Sequence, residues 1–238
     1  MIKPPVSLRF KTALIPGTLI RRYKRFLARV ELADGARVTA HCPNSGSMLG
    51  AIEEGAPVFI SPAIGDKRKT KFTWEMIRIN GGWVGINTGL PNKLVALAAQ
   101  RQALAVFRGV TAVRREVRLG QRSRIDLLVE SAQGPMYVEV KNVSLVRDRV
   151  AEFPDSVTTR GAKHLEELSR VVRGGGRAAM VYLVQRQDAE VFGPADSIDP
   201  TYAELYHQAR AAGVLMTAVE ARVTPQAISL TRELPLLI

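Results

Sequence analysis

The sequence predicts two fold classes in one chain: an all-β, OB-like barrel over residues 1–86, then an α/β unit with a mixed sheet flanked by helices over residues 87–238. Three observations support this. Five short strand candidates, at 26–32, 37–42, 57–61, 72–79 and 83–86, occupy the first part with no helical pattern between them, which suits a small Greek-key barrel of OB type. Beyond residue 90, helical and strand patterns alternate, as in a layered α/β unit. In the second part, two adjoining apolar strands carry Asp126, Glu139 and Lys141, charges that a buried strand has no structural use for.

In the first part, residues 1–20 contain Pro4, Pro5, Pro16 and Gly17 and read as extended segments and turns. Arg21-Arg22-Tyr23-Lys24-Arg25-Phe26 interleaves cations with aromatics, a composition suited to phosphates and base faces; a strand edge guarded by charge is the alternative. Ala33-Asp34-Gly35-Ala36 and Asn80-Gly81-Gly82 are hairpin turns. Lys67-Arg68-Lys69-Thr70-Lys71 falls in or beside a loop between strands and is a second candidate phosphate contact. Cys42 stands alone, and His41, His164 and His207 are the only histidines, so zinc lacks its usual ligands. Cys42 reads as a small buried residue. Asn44-Ser45-Gly46 and Asn87-Thr88-Gly89 are turn formers with backbone N–H groups that could face an anion.

In the second part, 93–107 reads as one helix. Seven arginines follow between Arg101 and Arg124, with Glu116 the one acid among them. Arg122 and Arg124 lead directly into Asp126, a cationic approach that suits a phosphate backbone. Glu116 is a further candidate metal carboxylate, or a partner for its neighbouring arginines. Phe153-Pro154-Asp155 imitates a nuclease word without a Glu-x-Lys after it. Thr158 or Thr159 caps a helix running to about Arg173, with Arg160 and Lys163 on one face near its start. Cations there oppose the helix dipole, which points to phosphate binding or to a merely solvated helix start. Gly174-Gly175-Gly176 follows a helix and precedes a strand, the reverse of a phosphate loop. A strand at 179–185, a helix from Asp199-Pro200 to Ala212 and strands at 215–223 and 227–230 complete the chain.

The hairpin carries the chemistry. Ser123-Arg124-Ile125-Asp126-Leu127-Leu128-Val129-Glu130 and Met136-Tyr137-Val138-Glu139-Val140-Lys141-Asn142 flank a turn at 131–135. Alternation puts Glu139 and Lys141 on one face. A hard cation such as Mg²⁺ or Mn²⁺ would take Asp126 and Glu139 as ligands, and Lys141 would orient or deprotonate an attacking water. A solvated charged strand face is the alternative. Directly opposed residues share a face, so Asp126 reaches the side of Glu139 only by opposing an odd-numbered residue. A five-residue loop would set it against Val140. The metal reading therefore requires an even loop, such as 131–134 or 131–136, or a bulge.

The Asp followed by Glu-x-Lys resembles the active-site hairpin of PD-(D/E)XK nucleases. The wider chain resembles the sugar fermentation stimulation protein A family, in Arg25-Phe26, His41-Cys42-Pro43-Asn44-Ser45-Gly46, Arg68-Lys69-Thr70, Arg124-Ile125-Asp126-Leu127, Val138-Glu139-Val140-Lys141-Asn142, Phe153-Pro154-Asp155 and Arg160-Gly161-Ala162-Lys163-His164-Leu165. The resemblance implies an OB-like domain, a PD-(D/E)XK nuclease-like domain and DNA binding without marked sequence preference. Charge agrees: 34 Lys and Arg against 22 Asp and Glu give +12, and a polyanion partner follows. No run is long enough to span a membrane, no leader pattern is seen, and a single cysteine suits the cytoplasm. The expectation is a DNA-binding protein with a Mg²⁺-dependent nuclease-like centre. A non-catalytic DNA-binding regulator of sugar-metabolism genes and an RNA-binding module are the alternatives.

Overall fold

The computed structural model describes residues 2–63, 69–119 and 123–237; Lys67, Arg68 and Arg122 lie outside them. The elements of the first part are β1 (Ser7–Arg9), β2 (Ile15–Tyr23), β3 (Leu27–Leu32), β4 (Arg37–His41), β5 (Pro57–Pro62), β6 (Phe72–Ile79) and β7 (Gly82–Gly85). Strands β2 to β6 run in the order β4-β3-β2-β5-β6, and a parallel β4–β6 pairing closes the ring. This is a five-stranded OB barrel around Leu19, Val30, Ala40, Ile60, Trp74 and Ile77.

Its membership differs from the sequence expectation in one stave. The predicted strand at 83–86 is β7, which among the described residues pairs with β6 alone. The missing stave is β2, hidden by Pro16 and Gly17, which read as breakers. Gly17 is needed inside the strand: a Cβ there would lie 2.6 Å from Val30 Cγ1 and 2.8 Å from the Glu31 carbonyl. Strand β1 pairs with the last strand of the second part, Ser7 with Ser229.

The second part contains α1 (Pro91–Gln100), a 3₁₀ turn (Ala105–Phe107), β8 (Val110–Leu119), β9 (Ser123–Ser131), β10 (Met136–Val143), β11 (Leu145–Arg147) and β12 (Val150–Phe153). After these come α2 (Thr159–Arg173), β13 (Arg177–Val184), β14 (Val191–Pro194), α3 (Pro200–Ala211), β15 (Leu215–Val223) and β16 (Ala227–Leu234). The helix expected at 93–107 stops at Gln100, and Gln102 turns the chain with φ 52°. Seven strands form one mixed sheet, β1-β16-β15-β13-β10-β9-β8, with β10, β13 and β15 parallel. One face buries Leu127, Val138 and Val140 against α1 residues Leu94, Val95 and Ala98. The other packs Met180 and Tyr182 against Leu165 and Leu168 of α2 and Tyr202 and Tyr206 of α3. Strands β11, β12 and β14 make a small second sheet.

The helix starts behave as their sequences require. Thr158 caps α2 by accepting from Gly161 N at 3.1 Å. Asp199 caps α3 by accepting from Tyr202 N at 3.0 Å, and its second oxygen accepts from Thr158 N at 2.8 Å. One carboxylate thus fixes both helices.

Barrel and sheet are tied by charge-assisted bonds. Arg186, 2% exposed, donates to Gly50 O of the barrel at 3.2 Å and to Ser144 O at 2.7 Å, while Asp188 accepts from its Nε at 2.6 Å and its Nη2 at 2.5 Å. Removing the guanidinium strands two carbonyls and a carboxylate together. Arg186→Met should therefore lower unfolding free energy by about 3 kcal/mol, a fall in Tm of about 6–12 °C for a chain of this size. Calorimetry checks it, and an unchanged Tm would show that the bridge is not structural.

Candidate active site

The observed register meets the parity condition. Val129 opposes Met136, Leu128 opposes Tyr137 and Leu127 opposes Val138, a register that, carried one residue further, would set Asp126 opposite Glu139. The turn is even: Gly134 N donates to Ser131 O at 3.0 Å, closing the 131–134 loop with Gly134 at φ 90°. Ladder pairing ends at Val138, and the Val140 N–H donates at 2.8 Å to the Asp126 carboxylate. The strands part here, and a side-chain oxygen takes the place of a backbone acceptor.

Asp126, Glu139 and Lys141 line one cavity, with Glu139 and Lys141 on the strand face that meets His164 of α2. Asn92, in the first turn of α1, donates to the other Asp126 oxygen at 2.6 Å. Glu139 is 3% exposed. Its Oε1 accepts from Lys141 Nζ at 2.7 Å and touches His164 Nδ1 of α2. Its Oε2 is buried with no hydrogen-bond partner among the described residues. Lys141 Nζ also lies 3.0 Å from His164 Nδ1. That nitrogen donates to Glu139 only when protonated and accepts from Lys141 only when not, so the imidazole tautomer decides which partner it serves.

The two carboxyls are pushed apart in pKa. Burial raises Asp126 to about 6, and the Glu139 charge adds to it; the Val140 N–H, Lys141 and Asn92 oppose without cancelling. Burial also acts against ionised Glu139, but His164 and Lys141 together outweigh it and hold the carboxyl below its usual range. Oppositely shifted carboxyls on one face are a functional-site pattern.

The centre lines a cavity of about 260 Å³ whose far wall includes Thr158, Arg160 and Gly161. A second cavity of about 440 Å³ adjoins it through Thr88, Asn142 and Thr158, and reaches Arg25 and the 44–46 turn of the barrel. The Asp126 centre and the barrel thus border one groove.

The other sequence candidates separate clearly. Arg160 and Arg25 line the groove. Arg22 is engaged within the barrel: its guanidinium donates to the carbonyls of Arg25, Asn44, Gly46 and Ser47. The reason is local, since the 44–47 turn folds back on β2 and needs donors. Arg21 lies over the Tyr23 ring at 5.3 Å. Lys24, Lys69 and Arg124 are exposed. Lys163 pairs with Glu167 at 3.7 Å. Glu116 is exposed on β8 at φ 53° and joins no cluster: among the described residues, no group of three His, Cys, Asp or Glu could hold a metal ion. The centre offers two carboxylates. Cys42 is buried, and burial pushes its thiol pKa up, which leaves a poor nucleophile.

Asn92 and His164 enter as site residues that the sequence reading did not commit to. His164 carried a weak signal, four residues after Arg160 on one helix face. Asn92 carried none, because nothing in its local pattern ties it to a carboxylate 34 positions away.

The chain matches the family model described as Sugar fermentation stimulation protein RE domain over residues 89–227, and that described as SfsA N-terminal OB domain over residues 20–86. A sugar fermentation stimulation protein homolog of Geobacter metallireducens is 52% identical, covering 97% of this chain and 100% of its own. One from a Methylobacterium species is 48% identical, covering 97% and 98%. A solved structure described as Pyrococcus furiosus SfsA in complex with Ca²⁺ is similar with a TM-score of 0.88 and 28% identity, over 97% of this chain and 98% of that one.

The Asp126 shift has a definite sign. The folded state holds this proton more tightly than the unfolded chain, so stability falls as pH rises from the usual 3.8 through about 6. Glu139 runs oppositely: its contribution is present above the usual carboxyl range and is lost as pH falls through its depressed value. In EDTA at neutral pH, Asp126→Asn should be more stable than the parent by roughly 1–2 kcal/mol, with the gain closing at about pH 4. Urea unfolding across pH measures this. A variant no more stable at neutral pH would refute the shift.

Proposed function

The chain belongs to the sugar fermentation stimulation protein (SfsA) family, and from that premise we propose that it binds DNA with little sequence preference and hydrolyses phosphodiester bonds with a divalent cation. The observation that carries this reading is the Asp126–Glu139 pair. Two carboxylates line one cavity, and Glu139 keeps a buried oxygen with no partner among the described residues. Such an oxygen is costly unless something cationic meets it. Mg²⁺ needs only one or two carboxylates, since it keeps several waters, so the donor set fits it. The relative described with Ca²⁺ supports a divalent site.

Each residue then has a task. Asp126 and Glu139 would hold the cation, which supplies Lewis-acid charge and a more acidic water. Asn92 and the Val140 N–H fix the Asp126 carboxylate in place. Lys141, 2.7 Å from Glu139, would orient the attacking water or balance charge on the phosphate. Arg160 and Arg25 would hold the phosphates on either side, and the chain's +12 charge draws the polyanion in.

A second reading, a DNA-binding regulator without catalysis, is favoured by the closed contact among Glu139, Lys141 and His164, which ties up the lysine. RNA in place of DNA is tested by competition. The cytoplasm is the proposed location, in keeping with one buried thiol; among the described residues, no helix is long and apolar enough to cross a membrane.

With Mg²⁺ or Mn²⁺ the protein should nick DNA, and EDTA should stop it. Asp126→Ala, Glu139→Ala and Lys141→Ala should each lower the rate by at least about a hundredfold, with DNA binding retained. No cleavage with any metal would promote the regulator reading. Binding itself should weaken with salt on a log–log slope near −0.9 per phosphate contacted. Arg25→Ala, Arg160→Ala and Lys69→Ala should weaken all sequences alike. Loss confined to one sequence would overturn the backbone-contact reading.

A further inference from the structure

We propose that the groove takes DNA whose bases are unpaired at the centre, a single strand or an opened duplex, with Phe26 and Val157 against the base faces. This rests on the DNA-binding reading above and names its substrate class. Phe26 is 47% exposed and Val157 is 72% exposed. Phe26 follows Arg25, which lines the barrel side, and Val157 lies in the 152–158 stretch that forms the other side.

Their exposure does not come from loose backbone. Arg22 bonds to the carbonyls of Arg25, Asn44 and Gly46 at 3.0, 3.0 and 2.9 Å, clamping the hairpin tip to the groove wall. Lys24 and Arg25 take φ 47° and 62°, a conformation that costs non-glycine residues energy. The Phe26 carbonyl accepts from Cys42 N at 2.8 Å. On the other side, Asp155 accepts from Met48 N at 2.7 Å, and Thr158 N is held by Asp199. Val157 sits between these two anchors. Both apolar side chains are thus held in water by well-bonded backbone, beside Arg25 and Arg160. The groove's acids are engaged, Glu152 with Arg147 and Asp155 with Met48 N.

A duplex offers such a groove phosphates and base edges; its base faces are hidden in the stack. Apolar side chains among cations gain most from unstacked bases, by stacking or wedging. Electrostatics alone would give the opposite preference, because counterion release per phosphate is larger for duplex than for single strands. A preference for unpaired DNA is therefore diagnostic of base-face contact.

The test uses the full chain in EDTA and anisotropy with three labelled DNAs of equal length: a single strand, a blunt duplex and a duplex with a central unpaired patch. The single strand and the opened duplex should each bind at least about tenfold tighter than the blunt duplex. Phe26→Ala and Val157→Ser should each erode that preference by about fivefold while leaving blunt-duplex affinity within about twofold. Phe26→Trp should preserve it. Equal affinity for all three DNAs, or a Phe26→Ala loss shared by the blunt duplex, overturns the proposal alone. Absence of salt-sensitive binding to every DNA overturns it together with the reading beneath it.

Discussion

The site depends on the register of β9 against β10. Side chains alternate faces along a strand, so a slip of one residue would turn Asp126 into the α1-packed core and leave Glu139 and Lys141 on the far side. The even 131–134 turn prevents this, with Gly134 in a left-handed conformation at its corner. Apolar alternation reinforces it: Leu127, Val129, Val138 and Val140 are all buried toward α1. The carboxylates meet because the hydrophobic pattern on the opposite face leaves them no other place.

That meeting is unfavourable by itself, and the surroundings show how it is sustained. Asp126 is fixed by an amide from α1 and by a backbone N–H released where the ladder ends. Glu139 is met by a lysine from its own strand and a histidine from α2. The α2 start is in turn set by Thr158 and Asp199. The helix that carries His164 is thus anchored a second time outside the centre. Like-charge repulsion and desolvation are therefore held in a fixed geometry, where a cation would relieve both.

The parts legible in the sequence were those governed by local rules. The caps at Thr158 and Asp199, the hairpin turn and the face-sharing of Glu139 with Lys141 follow from neighbours a few positions apart. The errors arose where distant contacts override such rules. Pro16 and Gly17 look like breakers, yet β2 runs through both because Gly17 lets Val30 approach closely. Strand β1 reads as extended chain between turns until β16 exists for it to pair with. Arg22 and Arg25 look equivalent in a basic run, but the 44–47 turn needs the first as an internal donor. His164 and Asn92 become site residues only when α1 and α2 dock on the sheet.

Net charge is consequently a weak guide to the binding surface, and the distribution of internal acceptors is a better one. Arg114, Arg147, Arg186 and Arg232 each pair with an acid, and Lys163 pairs with Glu167. Such cations have already exchanged water for a protein partner and gain little from a phosphate. Arg25 and Arg160 form no ion pair among the described residues, and both line the groove that contains Asp126 and Glu139. A cation on a fixed backbone with no internal partner has lost conformational freedom without yet gaining an interaction. A phosphate arriving there replaces water at a site already organised for it, which is the condition under which electrostatic binding is strongest.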